Sequence, residues 1–217
     1  MQVIEVVPSD DIEAAAWIGP RLRPFNRFQA GSVMPGGFDA YARIDNERAG
    51  VLPPGAARRV IAILVRHTPA REVLWLAMWS GYGQMHGPPA MMPLRAARIG
   101  ADPAETELTP PPPWPDGFMH PPLRSKNAPL MKLPAREYLL YRGRPDQVAG
   151  WMDGPNLWWP AHRAWCVASE IDLPWTYIGG SKMLIADVLG DPELRAQPLS
   201  LDESTLARDH PELGQRP

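Results

Sequence analysis

The chain has one cysteine, Cys166, and only three lysines (Lys126, Lys132, Lys182) against nineteen arginines. A single cysteine excludes a disulfide framework and a cysteine-rich zinc module. An excess of one charge sign is also missing. Twenty-two basic and 24 acidic residues leave a net charge of −2, which gives no electrostatic case for nucleic-acid or membrane-surface binding. The longest apolar runs are Val60 to Val65 (VIAILV) and Val73 to Trp79 (VLWLAMW), far short of the ~20 residues that span a bilayer. The opening MQVIEVVPSDD has no basic region followed by an apolar one, so no signal peptide is expected. These absences lead to the expectation of a soluble cytoplasmic protein with no metal and no cofactor.

What is abundant is proline, 28 residues, together with nine tryptophans and a 45% hydrophobic fraction. That much apolar surface can offset chain entropy, and 217 residues suit one domain. Thirteen of the prolines fall between Met85 and Pro134, where they deny helix interiors and central strands their N–H donors. The expected organisation is a single domain over residues 1–200. A proline-rich insertion at about 85–134 interrupts it, and a loosely ordered tail occupies 201–217. PPPPWP (Pro110 to Pro115) is a candidate ligand for a proline-recognition module, or a surface loop with Trp114 and Phe118 tucked against the body. The scattered arginines fit the codon bias of a GC-rich genome.

Outside the insertion the patterns are readable. Val3 to Val7 alternates as a strand, and Ser9-Asp10-Asp11 offers an N-cap for a helix through about Trp17. Phe38 to Ile44 alternates, with Phe38, Ala40, Ala42 and Ile44 on one face. Ala56 to His67 reads as a helix. Val73 to Trp79 reads as a buried central strand, and Glu137 to Tyr141, Ala164 to Glu170 and Trp175 to Ile178 as further strands. Ser181 caps a last helix to about Leu189, and the chain from Gly190 shows little periodicity. Strands cluster after the middle and do not alternate strictly with helices. This predicts an α+β fold, a mainly antiparallel sheet with two to three packed helices.

Three segments together resemble a family of uncharacterised proteins from high-GC actinobacteria. They are GSVMPGGFDAYARI (Gly31 to Ile44), LAMWSGYG (Leu76 to Gly83), and REYLLYRG followed by PNLWWPAHRAWCVASEIDLPWTYIGGS (Arg136 to Ser181). The resemblance implies kinship over most of the chain outside the insertion and the tail. It implies no activity. Relatives are expected to carry a longer, tryptophan-containing segment where this chain has only DNERAGV after Ile44.

Candidate functional residues lie mainly between Trp151 and Lys182, a stretch holding five of the nine tryptophans. Asn156 to Pro160 reads as an extended loop, in which adjacent side chains point opposite ways, so one of Trp158 and Trp159 can be core while the other lines a cleft. A binding face of Trp158, Trp159, Arg163, Trp175 and Tyr177 follows, as does the plainer reading that these rings pack the sheet. Glu170 and Asp172 stand two apart on one strand face, roughly 6.5–7 Å between α-carbons, close enough to share a proton. With His162 they are the candidate catalytic or metal-binding groups; the alternative is that arginines pair with them. Gly180, Ser181 and Lys182, with Gly179, form a strand-to-helix junction able to hold an anion, or simply a turn and an N-cap. Cys166 lies between Trp165 and Val167 and is expected to be inert. His86 and His120, with Met85, Met91 or Met92, make a weak metal pattern.

Two functions follow. One is a non-enzymatic binding or interaction module that uses the Trp-rich face on a protein or small-molecule ligand, with the small α+β immunity proteins as a fold-level analogy. The other is an enzyme for a small anionic substrate, with Glu170 and Asp172 as acid/base groups or metal ligands and the Gly179 to Lys182 junction holding the anion.

Overall fold

The computed structural model describes residues 6–46, 50, 52–81, 124–125, 127–134, 136–144 and 154–206. Pro54 opens helix α1 (Pro54–Arg66), where its missing N–H removes no intrahelical bond. Val60, Ile61, Ile63 and Leu64 form the buried stripe of that helix, at the three- and four-residue spacing of one face. Helix α2 (Lys182–Gly190) begins at Ser181, whose Oγ accepts a hydrogen bond from Leu184 N at 3.2 Å. Leu184, Ile185 and Val188 are its buried side chains.

The strands are β1 (Val7–Ser9), β2 (Ala40–Asp45), β3 (Leu74–Trp79), β4 (Met131–Leu133), β5 (Arg136–Gly143), β6 (Leu157–Pro160), β7 (Cys166–Ser169), β8 (Trp175–Gly180) and β9 (Gln197–Pro198). They form one sheet in the order β1-β5-β3-β6-β7-β8-β2-β9, with β4 also on β5, and every pairing is antiparallel. The fold is α+β, as expected. β5 carries two partners end to end on one side, β4 at Arg136 to Tyr138 and β1 at Leu140 to Arg142. β3, the continuous apolar run, is central.

Strand alternation sends side chains into two separate cores. Leu74, Leu76, Leu139, Tyr141, Trp158, Trp165, Val167 and Ile178 meet α1 and α2 on one face. Ala77, Tyr138, Leu140, Leu157, Trp159, Cys166, Ala168, Trp175 and Tyr177 face the other way and meet Ala15, Trp17, Ile18, Ala30 and Met34. That second cover is not the expected helix. Asp11 makes no capping bond, and Pro20 and Pro24 deny the backbone continuous α-type bonding. The segment instead makes short 3₁₀ turns at Ile12–Ala15, Gly19–Arg21, Phe25–Arg27 and Ala30–Ser32.

Three further expectations change. Phe38 precedes β2 and turns to the Trp17 side, with ring centroids 6.2 Å apart, while Ala40, Ala42 and Ile44 keep the helical face. The span from Gly190 to Leu206 is held in place: Leu194, Leu199 and Thr205 are buried, and Arg43 pairs with Glu203 and donates to Gln197 Oε1 at 2.7 Å. Met131 to Leu133, assigned to the insertion, is an edge strand, and Arg124 just before it is buried. PPPPWP, His86, His120 and the neighbouring methionines lie outside the described residues, as does the chain beyond Leu206.

A polar bridge ties the helices together. His67 Nε2 lies 2.8 Å from Asp187 Oδ2, and Arg66 Nη2 lies 3.5 Å from the same oxygen. The hydrogen bond to His67 chiefly holds the Asp187 carboxyl below its ordinary value. A depressed carboxyl contributes stability above its unfolded pKa and loses it as pH falls through the folded one. The stability gap between wild type and Asp187→Asn is therefore expected to close as pH falls below about 4, measured by urea denaturation across pH. A second test concerns the face without α-helices. Trp159→Ala should lower unfolding free energy by about 3–5 kcal/mol, as truncation of a large core aromatic does. A loss under ~1 kcal/mol would show that the face is not a packed core.

Candidate functional site

Arg136, at the start of β5, gathers the two candidate carboxylates. Its Nε donates to Glu170 Oε2 and its Nη2 to Asp172 Oδ2, each at 2.7 Å. Glu170 is buried, and its other oxygen accepts from Ile171 N at 2.7 Å. Burial opposes the charge on Arg136, but the bonds and charge of Glu170, then those of Asp172, hold the guanidinium above its usual pKa. The guanidinium also stacks 5.0 Å from the Trp79 ring centroid. Both Glu170 oxygens are thus engaged by donors, the arrangement of a structural ion pair. His162 is committed elsewhere: Nδ1 lies 2.8 Å from Glu72 Oε1, and its backbone N donates to the same oxygen at 3.0 Å. Burial works against ionised Glu72, but the bonds from His162 outweigh it and lower the carboxyl. Among the described residues no group of three His, Cys, Asp or Glu is placed to hold a metal ion. The recess beside Arg136 and Glu170, lined also by Leu22, Val33 and Tyr138, offers about 20 Å³, the scale of one water molecule.

The expected tryptophan face is not a surface. Trp158, Trp159, Trp175 and Tyr177 are all buried, because each sheet face has its own cover and neither neighbour of the Trp158–Trp159 pair is left to line a cleft. Burial pushes the Tyr177 hydroxyl and the Cys166 thiol up, which leaves the thiol un-ionised and inert. The Gly179–Gly180 pair is explained by packing. A Cβ on Gly179 would lie 2.6 Å from Phe38 Cδ2, and one on Gly180 would lie 3.3 Å from Leu184 Cδ2. Ser181 spends its hydroxyl on the helix cap, and Lys182 is exposed beside it.

Arg163 is the sequence candidate that meets new company. It occupies the turn between β6 and β7 with φ of 58°, and its guanidinium carbon lies 5.7 Å from the Trp17 ring centroid. Arg21 stacks on the same ring at 5.3 Å. Trp17 in turn meets Trp159 edge to face, centroids 6.0 Å apart. Beyond Arg21 the chain exposes two aromatic rings, Phe25 and Phe28, 6.5 Å apart. Neither grouping came from motif or spacing. The one local signal is RLRPFNRF, Arg21 to Phe28, where arginines and aromatics crowd a segment without helix or strand period.

No family model, curated protein or solved structure matches this chain. Among the described residues no helix is long and apolar enough to cross a membrane. The ion-pair reading of Glu170 has a direct check. Arg136→Ala leaves a buried carboxylate without its cation and should destabilise by about 3–5 kcal/mol. Adding Glu170→Gln should recover part of that loss, and a double-mutant cycle with zero coupling would contradict the pairing.

Proposed function

We propose that this protein is a non-enzymatic binding module that engages a partner protein through its N-terminal layer, with Phe25 and Phe28 as the anchoring side chains. The observation that carries this is Phe28. Its φ of 49° lies in the left-handed region, which costs a residue with a Cβ about 1–2 kcal/mol. Two backbone ties hold it there: Thr205 N donates to Phe28 O at 2.8 Å, and Gln29 bridges to Ser204. The result is a ring 49% exposed to solvent, next to Phe25 at 38%. The left-handed backbone closes the seam to Thr205 and Ser204, and the fold leaves the apolar side chain presented there largely uncovered, which suits contact with another molecule. Arg27 is exposed between them, and aromatic residues with arginine are enriched at protein interfaces. The buried tryptophans then belong to the core, and the carboxylates of Glu170 and Asp172 stabilise the scaffold through Arg136.

The test compares immobilised wild type with a Phe25→Ser, Phe28→Gly double variant. Proteins retained by wild type and lost by the variant would be identified, purified and titrated against both. At least a tenfold weaker Kd for the variant is expected, with Tm of the single Phe28→Gly variant unchanged or raised because glycine accepts the left-handed backbone. A partner that binds both forms equally would overturn the assignment, as would wild type retaining no protein that the variant does not.

A further inference from the structure

We propose that Arg21 and Arg163, stacked on Trp17, form a receptor for a small doubly charged organic oxyanion. This site is separate from the Phe25–Phe28 contact and does not rest on it. Arginine stacked on an aromatic ring recurs in this fold, and the comparison between instances is what singles out this one. Arg43 over Trp175 pairs with Glu203, Arg124 over Tyr141 pairs with Asp10, and Arg136 over Trp79 pairs with Glu170 and Asp172. Arg21 and Arg163 share one ring and, among the described residues, neither has a carboxylate partner.

Both guanidinium carbons lie within 6 Å of one centroid, at 5.3 and 5.7 Å, so the two cations are at most about 11 Å apart. Among the described residues no carboxylate pairs with either cation. The indole N–H groups of Trp17 and of Trp159, which meets it edge to face, are buried with no hydrogen-bond acceptor among the described residues, although buried polar groups are nearly always satisfied. The surroundings are also built to hold the cations where they are. Arg163 keeps its left-handed backbone, its N–H donating to Pro160 O at 2.8 Å. Gly37, with φ of 97°, leaves space that a Cβ would close to 3.2 Å from Arg21 Nη1. Two cations without a described carboxylate partner, the buried N–H of Trp17 and the left-handed backbone of Arg163 are gathered around one indole.

The missing component is therefore an acceptor with negative charge. A guanidinium fork matches carboxylate and phosphate oxygens bidentately, and two forks call for a ligand with two charges. Dicarboxylates and phosphate dianions share that chemistry, and a separation of at most about 11 Å between the guanidinium carbons calls for a compact ligand.

The experiment is titration of the whole protein with succinate, glutarate, inorganic phosphate and acetate. Ionic strength is held constant with sodium chloride, and binding is read by calorimetry and by melting temperature. At least one dianion should bind saturably and at least tenfold more tightly than acetate. Arg21→Gln and Arg163→Asn should each weaken it tenfold or more; asparagine tolerates the left-handed backbone, so Arg163→Asn keeps the turn. Arg163→Lys, which keeps the charge and loses the fork, should fall between. Preference for succinate or glutarate over phosphate, or the reverse, assigns the ligand source. The proposal fails if no dianion binds saturably, if acetate does as well, or if the Arg21→Gln and Arg163→Asn proteins, melting like wild type, bind unchanged. Phe28→Gly should leave anion binding intact, so the two surfaces can fail separately.

Discussion

An antiparallel sheet whose strands put large apolar side chains on both faces needs two covers, and α1 and α2 occupy only one of them. The other face carries Trp159, Trp175, Tyr177 and Tyr138, and burial of rings that size dominates the energetics of any core. The N-terminal segment meets this demand with irregular backbone. Its 3₁₀ turns set down Ala15, Trp17, Ile18, Ala30 and Met34 one after another over the sheet. Each turn satisfies its own backbone groups locally, through bonds such as Ala16 N to Glu13 O and Ile18 N to Ala15 O, both 3.0 Å. The strange look of residues 10–39, rich in glycine, proline and arginine, follows from that task.

Arginine is the means by which the layers are pinned. Arg43 on β2 reaches Glu203 and Gln197, Arg124 reaches Asp10 and Ser9 O, and Arg136 reaches Glu170 and Asp172. In each case the planar head lies over a ring while its N–H groups find oxygen acceptors. Lysine, a point charge without a plane to stack, would not make both contacts at once. Codon bias can supply arginine in quantity, and the fold has used particular copies of it.

Fold class was legible because period and clustering survive in sequence. Val73 to Trp79 shows no alternation, and β3 is indeed central between β5 and β6, with apolar residues needed on both of its faces. The same fact removes the tryptophan cleft that the sequence suggests. Trp158 and Trp159 imply one inward and one outward ring only if the sheet is covered once, and here it is covered twice. Glu170 and Asp172 are visible in sequence as a pair, but they lie in the turn after β7 and not on one strand face, and Arg136, which holds them, lies 34 residues from Glu170 on β5. Arg163 stands with Trp17 and Arg21, which no spacing rule connects to it, and not with the tryptophans of β6 and β8. The second cover itself escaped because 3₁₀ turns leave no 3.6- or 2-residue signature.

The closing of that second cover depends on residues far along the chain. Ala30 N donates to Glu203 O at 2.9 Å, Gly31 N to Leu201 O at 3.0 Å, and Leu199 N to Tyr41 O at 3.1 Å. During synthesis the N-terminal layer is made early, yet its outer seam stays open until residues near 205 have emerged. Contacts so distant in sequence form slowly, because the loop entropy is lost before the contacts are gained. Until then the aromatic underside of the sheet faces water in the nascent chain, and the protein's exposure to aggregation is set by how long that last strip takes to arrive.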